Sequence, residues 1–181
     1  HFGGSADFLG IEDGGSGISG LPFSIFFGAQ PFGYSSSTSA NHGSDLVVDG
    51  WVYLDTAPSD AHGIFTLDTS ILPTSPSAIG GGVALGVNTG NNKWRVYYGP
   101  VSGVSANDAP TATASTTTWY HFAWQRSGGL TRLYIDGTEV FSVTDATSYS
   151  SHDAFNIGGY YNQNFTLNGR LSDFRYTKES R

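Results

Sequence analysis

The chain has 181 residues, with 8 basic and 15 acidic side chains and a net charge of -7. Hydrophobic residues make up 38% of the sequence and aromatic residues 14%, a balance that argues against intrinsic disorder. The acidic balance also argues against binding to nucleic-acid phosphates or to an anionic membrane surface. Because the sequence contains no cysteine, disulfides, thiolate metal sites and a cysteine nucleophile are excluded.

Short segments rich in β-branched and aromatic residues alternate with Gly, Ser and Thr along the chain, which predicts strands. No window has the apolar period of a long helix, and no apolar run approaches the ~20 residues of a membrane span. Without a βαβ rhythm, these strands predict an all-β antiparallel sandwich with little or no helix. In chain order the predicted strands are Phe2–Ile11, Phe23–Phe27, Leu46–Leu54, Gly63–Leu67, Val83–Val87, Trp94–Tyr98, Trp119–Arg126, Leu130–Ile135, Glu139–Val143, Ala154–Ile157 and Gly169–Tyr176.

Two glycine turns predict a three-stranded meander from Trp119 to Val143. Asp136-Gly137 is the strongest hairpin signal because both residues tolerate the positive φ of a type I′ turn, and Ser127-Gly128-Gly129 turns the preceding hairpin. At period two, the strand that begins at Trp119 has large residues on both faces, which indicates a central strand with a structural histidine at His121. Polar stretches at 34–41, 73–82 and 104–118 predict long connections.

Five motifs follow one another in a fixed order. They are DGWVYL at 49–54, WYHFA at 119–123, LYIDG at 133–137, IGG at 157–159 and GRLSDFRY at 169–176. This series resembles the laminin-G-like branch of the concanavalin A-like lectin/glucanase superfamily, and residues 2–9 resemble the first strand of that family. The resemblance implies a jelly-roll of two packed antiparallel sheets that spans residues 1–181 as one domain, with a loop insertion around 28–45. The closing Asp173–Lys178 is similar to domains of phage tail, fibre and capsid-associated proteins.

The carboxylates do not match a hydrolase of this superfamily. Its glucanases carry Glu-x-Asp-x-x-Glu on one strand, which places nucleophile and acid on one face. None of Glu12, Glu139 and Glu179 has an aspartate two residues on, and the consecutive residues 151–153 (Ser-His-Asp) cannot converge as a triad. We therefore predict no catalytic residues.

Sugar binding needs aromatic platforms beside polar groups. The best candidates are the loop residues after the predicted strand that ends at Ile157, together with a second aromatic cluster around Trp94, although residues of either cluster could equally belong to the core. The predicted contact residues are Tyr160, Tyr161, Asn162, Asn164 and Trp94.

The resemblance also implies calcium as a candidate cofactor, since related domains bind it at the rim of the sandwich through carboxylate, amide and carbonyl oxygens. The alternative is that these residues only form turns. The candidate ligands are Asp55, Asp60, Asp68, Asn88, Asn91, Asn92 and Asp108.

Together, these features favour a non-catalytic module on a virion surface or outside a cell, acting as a structural, decoration or adhesion (host-attachment) protein, and most simply in a phage. The resemblance implies a homo-oligomer whose partners are other virion or cell-surface proteins. The alternative is a carbohydrate-binding, lectin-like module of a secreted bacterial protein that binds cell-surface glycan. A glycoside hydrolase is the third hypothesis, and it requires a carboxylate pair that the sequence does not supply.

Overall fold

The computed structural model describes residues 33–36, 45–55, 62–68, 82–88, 90–99, 105–147, 154–158 and 167–177. These residues form eleven strands and contain no helix, so none of them belongs to a helix that could cross a membrane. The strands are β1 (Gly33–Ser36), β2 (Leu46–Leu54), β3 (His62–Asp68), β4 (Gly82–Val87), β5 (Lys93–Tyr98), β6 (Ser105–Thr113), β7 (Trp119–Ser127), β8 (Leu130–Ile135), β9 (Thr138–Thr144), β10 (Ala154–Ile157) and β11 (Gly169–Thr177).

The strands form two antiparallel sheets. One has six strands in the order β1-β10-β3-β4-β5-β6, and the other has five in the order β11-β2-β7-β8-β9. The predicted all-β sandwich is therefore confirmed. The predicted strands from Leu46 onwards are found with ends that differ by one residue at most. The two earlier ones lie outside the described residues, and the single-domain boundary and the insertion around 28–45 stay predictions.

Two strands occur where the sequence predicts connections. β1 overlaps the predicted loop 34–41, and β6 lies inside the predicted connection 104–118. Both are edge strands of the six-stranded sheet, paired on one side only. An edge strand exposed to water does not need an alternating apolar pattern, and its free side also tolerates Pro110, which has no N–H to donate.

Both predicted hairpins are confirmed. The φ angles are 49° at Asp136 and 77° at Gly137, and 57° and 77° at Gly128 and Gly129. Positive φ at both central residues is the signature of a type I′ turn, whose twist matches that of the strands it joins. The two turns fix the register of β7, β8 and β9.

The core lies between the sheets and is centred on aromatic rings. Phe65 of the six-stranded sheet contacts Phe122, Trp124 and Phe174 of the other sheet, with ring centroids 6.1–6.4 Å apart. Phe122 and Trp124 occupy alternate positions of β7 and are fully buried, as the period-two pattern predicts. The opposite face of the five-stranded sheet is thereby turned away from the core.

A bulge in β11 brings two apolar side chains to the core. The register shifts between Ser172 and Arg175, and Asp173 has φ 50°. The extra residue allows Leu171 and Phe174 both to be buried, whereas strict alternation over three residues would turn one of them outward. As a result, Arg175 lies on the outer face.

Candidate functional site

The outer face of the five-stranded sheet carries four aromatic side chains on its two central strands, β2 and β7. Trp51 lies opposite His121 in the strand register, and Tyr53 lies opposite Trp119. Because alternate residues of a strand share a face, and residues opposite each other on neighbouring strands do so too, the four rings form one surface. We call Trp51, Tyr53, Trp119 and His121 the aromatic face.

The rings of the aromatic face contact each other in pairs. The Trp51 and His121 centroids are 5.2 Å apart in an edge-on arrangement, and those of Tyr53 and Trp119 are 5.4 Å apart and tilted. Trp51 is 40% exposed, and among the described residues it is the only large hydrophobic residue that is exposed. Contacts of this kind hold the rings in defined orientations. The aromatic face thus consists of two packed ring pairs, with the Trp51 indole open to solvent.

Charged residues border the aromatic face on the β11 side. The Arg170 guanidinium lies 5.0 Å from the centroid of the Tyr53 ring, a cation–π contact, and its Nη2 donates to Asp55 Oδ1 at 3.0 Å. Four positions before Tyr53 on β2, Asp49 Oδ1 accepts a hydrogen bond from Arg175 Nε at 2.8 Å. Asp49 is only 5% exposed, and Arg175 is its ion-pair partner.

Gly50 explains why Trp51 can lie so close to the bulge. A Cβ atom on Gly50 would lie 3.1 Å from Phe174 Cα and 3.3 Å from the Ser172 carbonyl oxygen. Both are backbone atoms of the bulged strand, which cannot move away as a flexible side chain would. The glycine therefore allows the close β2–β11 pairing in which Trp51 lies opposite Ser172.

The Asp136 turn fixes the far end of the aromatic face. Asp136 Oδ1 accepts from the backbone N–H of His121 at 2.9 Å, and the Asp136 N–H donates to the His121 carbonyl at 2.8 Å. The turn that the sequence predicts at Asp136 therefore also positions the backbone of His121, a residue of the aromatic face.

A second polar cluster lies at one end of the six-stranded sheet. Asp108 Oδ2 accepts from the side-chain amides of Asn88 and Asn91, both at 2.8 Å, and Oδ1 accepts from Arg95 Nε at 2.6 Å. Burial raises the pKa of Asp108, but the bonds from Arg95, Asn91 and Asn88 and the charge of Arg95 outweigh it and lower the pKa to about 2. The cluster ties the turn between β4 and β5 to the edge strand β6.

Three of the predicted calcium ligands thus meet, but in a different role. The amide oxygens of Asn88 and Asn91 accept backbone N–H groups of Gly90 and Lys93, as turn-forming residues do. Asp108 is bound by a guanidinium cation, and Asp55 pairs with Arg170. In the part of the chain that the structure describes, no three His, Asp or Glu side chains group as metal ligands would. Asp60 and the side chain of Asp68 lie outside it.

The predicted sugar-contact residues are placed as follows. Trp94 has no exposed surface and packs edge-on against Tyr120 at 5.4 Å, so in this structure it is a core residue and offers no platform. The reason is register: Trp94 lies opposite the fully buried Val87, on the inner face of the sheet. Tyr160, Tyr161, Asn162 and Asn164 lie outside the described residues, and their role stays a prediction.

Sequence reasoning missed the aromatic face as a site. The alternation of β7 already places Trp119 and His121 on one face. The pairing of β2 with β7, which adds Trp51 and Tyr53, follows from long-range register that a single sequence does not contain.

The fold and these motifs agree with a family comparison. The laminin G model of the Concanavalin A-like lectin/glucanases superfamily matches residues 30–180. The chain belongs to this family. The family expected from the five ordered motifs is thereby confirmed. No curated protein matches the chain significantly.

Solved structures share the fold at low sequence identity. Domains LG4-5 of the mouse laminin alpha1 chain have a TM-score of 0.58 and 16% identity, over 82% of this chain and 40% of that one. Domain 4 of AbnA, a GH43 extracellular arabinanase from Geobacillus stearothermophilus solved with arabinotriose, has a TM-score of 0.55 and 17% identity, over 74% of this chain and 60% of that one. The carbohydrate-binding module CBM66 from Bacillus subtilis has a TM-score of 0.53 and 12% identity, over 76% of each chain. At these identities the likeness shows the fold alone, and the chain spans less than two thirds of the first two structures.

Proposed function

We propose that the protein is a non-catalytic, lectin-like adhesion module that recognises a glycan through the aromatic face. The observation that carries the proposal is Trp51, an indole 40% exposed on a sheet face and braced by a second ring. An exposed large aromatic side chain in a defined orientation is typical of a contact surface. Sugar rings present a face of C–H groups that an indole can cover.

The surroundings of the exposed indole support a sugar more than an apolar ligand. Arg170 with Asp55, and Arg175 with Asp49, supply guanidinium donors and carboxylate acceptors next to the rings. Binding sites of small molecules combine apolar contact area with a few fixed polar groups of this kind. Two of the solved neighbours are a carbohydrate-binding module and a domain in complex with arabinotriose, which is consistent with this choice.

The charge pairs also support a non-catalytic role. Glycoside hydrolysis by the usual route needs two carboxyl groups facing each other across the scissile bond. Asp49, Asp55 and Glu139 of this outer face are instead each within ion-pair distance of an arginine. We therefore expect binding without turnover, although one GH43 arabinanase contains a domain of this fold.

The proposed place of action is outside a cell or on a particle surface, where a glycan-binding module meets its ligand. The narrower proposal is host attachment by a phage virion, supported by the resemblance of residues 173–178 to phage tail and capsid domains. Antibody labelling of purified particles tests it, and we expect several copies of the chain per particle. Labelling of bacterial cell surfaces alone would contradict the phage role and leave the adhesion module in place.

Calcium is a separate proposal, supported by the convergence of Asn88, Asn91 and Asp108. An ion at this cluster has to displace the Arg95 guanidinium. We therefore expect an Arg95→Ala variant to gain more thermal stability from added CaCl2 than the wild type does. Equal melting temperatures with CaCl2 and with EDTA in both proteins would contradict a calcium site at this cluster.

The test of the proposed function is binding of the wild type and of Trp51→Ala to an array of immobilised glycans. Because central aromatic residues dominate binding energies, we expect the variant to lose at least tenfold in affinity, or about 1.4 kcal/mol. Thr113→Ala is the matched control, since it is exposed on the other sheet. Absence of glycan binding by the wild type, or equal loss in the control, would refute the proposal.

A further inference from the structure

The charges on the outer face of the five-stranded sheet compensate each other pair by pair. Arg170 binds Asp55 at 3.0 Å, and Arg175 binds Asp49. On the same face, near the β9 edge of the sheet, Arg132 Nε lies 3.6 Å from Glu139 Oε2. Among the described residues of this face, each arginine therefore already has a carboxylate partner, and the face carries no excess of positive charge.

This balance bears on the charge of the ligand. A sulfated or carboxylated glycan is bound through guanidinium groups that its anions can approach without competition. On this face such an anion has to replace an existing carboxylate partner, and Asp49, once deprived of Arg175, would remain a nearly buried unpaired charge. The net charge of -7 of the whole chain adds repulsion at longer range. An anionic ligand is therefore disfavoured.

The spacing of the pairs around Trp51 fits one sugar ring. Tyr53, which lies opposite Arg170, and Asp49, which binds Arg175, are the neighbours of Trp51 on the same face of β2. Positions i and i+2 of a strand are about 6.5 Å apart. The exposed indole thus has one donor–acceptor pair on each side, at a distance suited to the hydroxyl groups of a ring stacked on it.

Hydroxyl groups match these pairs better than a protein surface would. A sugar hydroxyl both donates and accepts, so neighbouring hydroxyls can bond to a guanidinium and a carboxylate without separating the ion pair. A stable protein partner would instead need roughly 800 Å² of contact per side with a larger apolar centre. Among the described residues, Trp51 is the only exposed large hydrophobic residue, which is too little for such a centre.

We infer that the ligand of the aromatic face is an uncharged saccharide, with one ring stacked on Trp51 and its hydroxyls bonded to the Arg170–Asp55 and Arg175–Asp49 pairs. This inference rests on the proposed function and specifies its ligand class. It predicts that binding depends on Trp51 and on Arg170 and hardly responds to ionic strength, because no net charge is neutralised.

The experiment compares soluble neutral polysaccharides (glucan, mannan, galactan and arabinan) with anionic ones (heparin, polygalacturonate and alginate), by affinity electrophoresis and calorimetry. Binding is measured at 50 and 500 mM NaCl for the wild type, Trp51→Ala, Arg170→Gln and the Thr113→Ala control. We expect retention by at least one neutral polysaccharide and a change of less than twofold between the salt concentrations. Trp51→Ala should weaken binding at least tenfold, and Arg170→Gln about three- to tenfold.

The outcomes separate the inference from the proposed function. Binding of anionic polysaccharides that depends on Trp51 and falls steeply with salt would overturn the uncharged ligand and leave the lectin-like function in place. Binding of no polysaccharide, or binding that Trp51→Ala leaves unchanged, would overturn both. Arg170→Gln keeps the test valid if Trp51→Ala does not fold, since Arg170 and Asp55 are both exposed and their pair contributes little to stability.

Discussion

The Asp108 cluster allows a prediction whose size and pH dependence both follow from the structure. The proposed change is Asp108→Asn, which keeps the shape of the side chain but removes its charge. In the wild type this carboxylate accepts bonds from Arg95, Asn88 and Asn91. The variant loses the ion pair and turns one acceptor oxygen into a donor that faces other donors.

The magnitude comes from the pKa of Asp108, which falls from 3.8 to about 2 in the folded protein. Each unit corresponds to about 1.4 kcal/mol, so the ionised carboxylate contributes at most about 2.5 kcal/mol. The side chains of Arg95 and Asp108 are 28% and 21% exposed, and solvent screening reduces this value. We expect a loss of roughly 1–2 kcal/mol in the free energy of unfolding at pH 7.

The pH dependence has a definite sign. Because the folded-state pKa is below the unfolded-state value, the ionised group stabilises the fold above about pH 4, and this stabilisation is lost as the pH falls towards 2. The difference between wild type and variant should therefore be constant above pH 5 and shrink steadily between pH 4 and pH 2. Other carboxylates titrate in both proteins and cancel in the difference.

Urea unfolding followed by tryptophan fluorescence at several pH values measures this difference. The control is Asp55→Asn, which removes an exposed ion pair with Arg170 and should cost about 0.5 kcal/mol or less. A difference for Asp108→Asn that is absent at pH 7, or that stays the same down to pH 2, would refute the reasoning. In that case the cluster does not hold the turn to β6 through its charge.

Four other substitutions test the architecture by the same unfolding measurement. Gly50→Ala places a Cβ atom 3.1 Å from the Phe174 backbone and should cost about 1–3 kcal/mol, so an unchanged stability would contradict the close β2–β11 pairing. Gly137→Ala meets no atom within 4 Å but has φ 77°, so strain alone should cost about 1 kcal/mol, and no loss would argue against the type I′ turn. Trp51→Ala should cost about 1 kcal/mol or less, whereas Trp124→Ala, at a fully buried position, should cost about 3–5 kcal/mol. Equal losses would mean that Trp51 stabilises the fold.

The sequence was informative where strands are half-buried and turns need positive φ. Leu46–Leu54 and Leu130–Ile135 were predicted to the residue because alternation and the Asp136-Gly137 turn mark their ends. Edge strands such as Ser105–Thr113 carry neither signal, since they take their conformation from a neighbour. Trp94 was assigned to a binding cluster because composition identifies an aromatic residue but does not tell which side of a sheet it faces.

The candidate site could not be predicted for a related reason. Asp49, Gly50 and Trp51 are adjacent in a motif that indicates the fold, yet each has a different role once β11 and β7 are paired with β2. Gly50 admits the bulge, and the bulge turns Arg175 outward to bind Asp49. Trp51, two residues after Asp49, packs edge-on against the ring of His121. The packing of the core thus places the indole and its polar neighbours on the outer face. A substitution that removes the bulge should therefore weaken the proposed glycan binding, although it changes none of the residues proposed to contact the glycan.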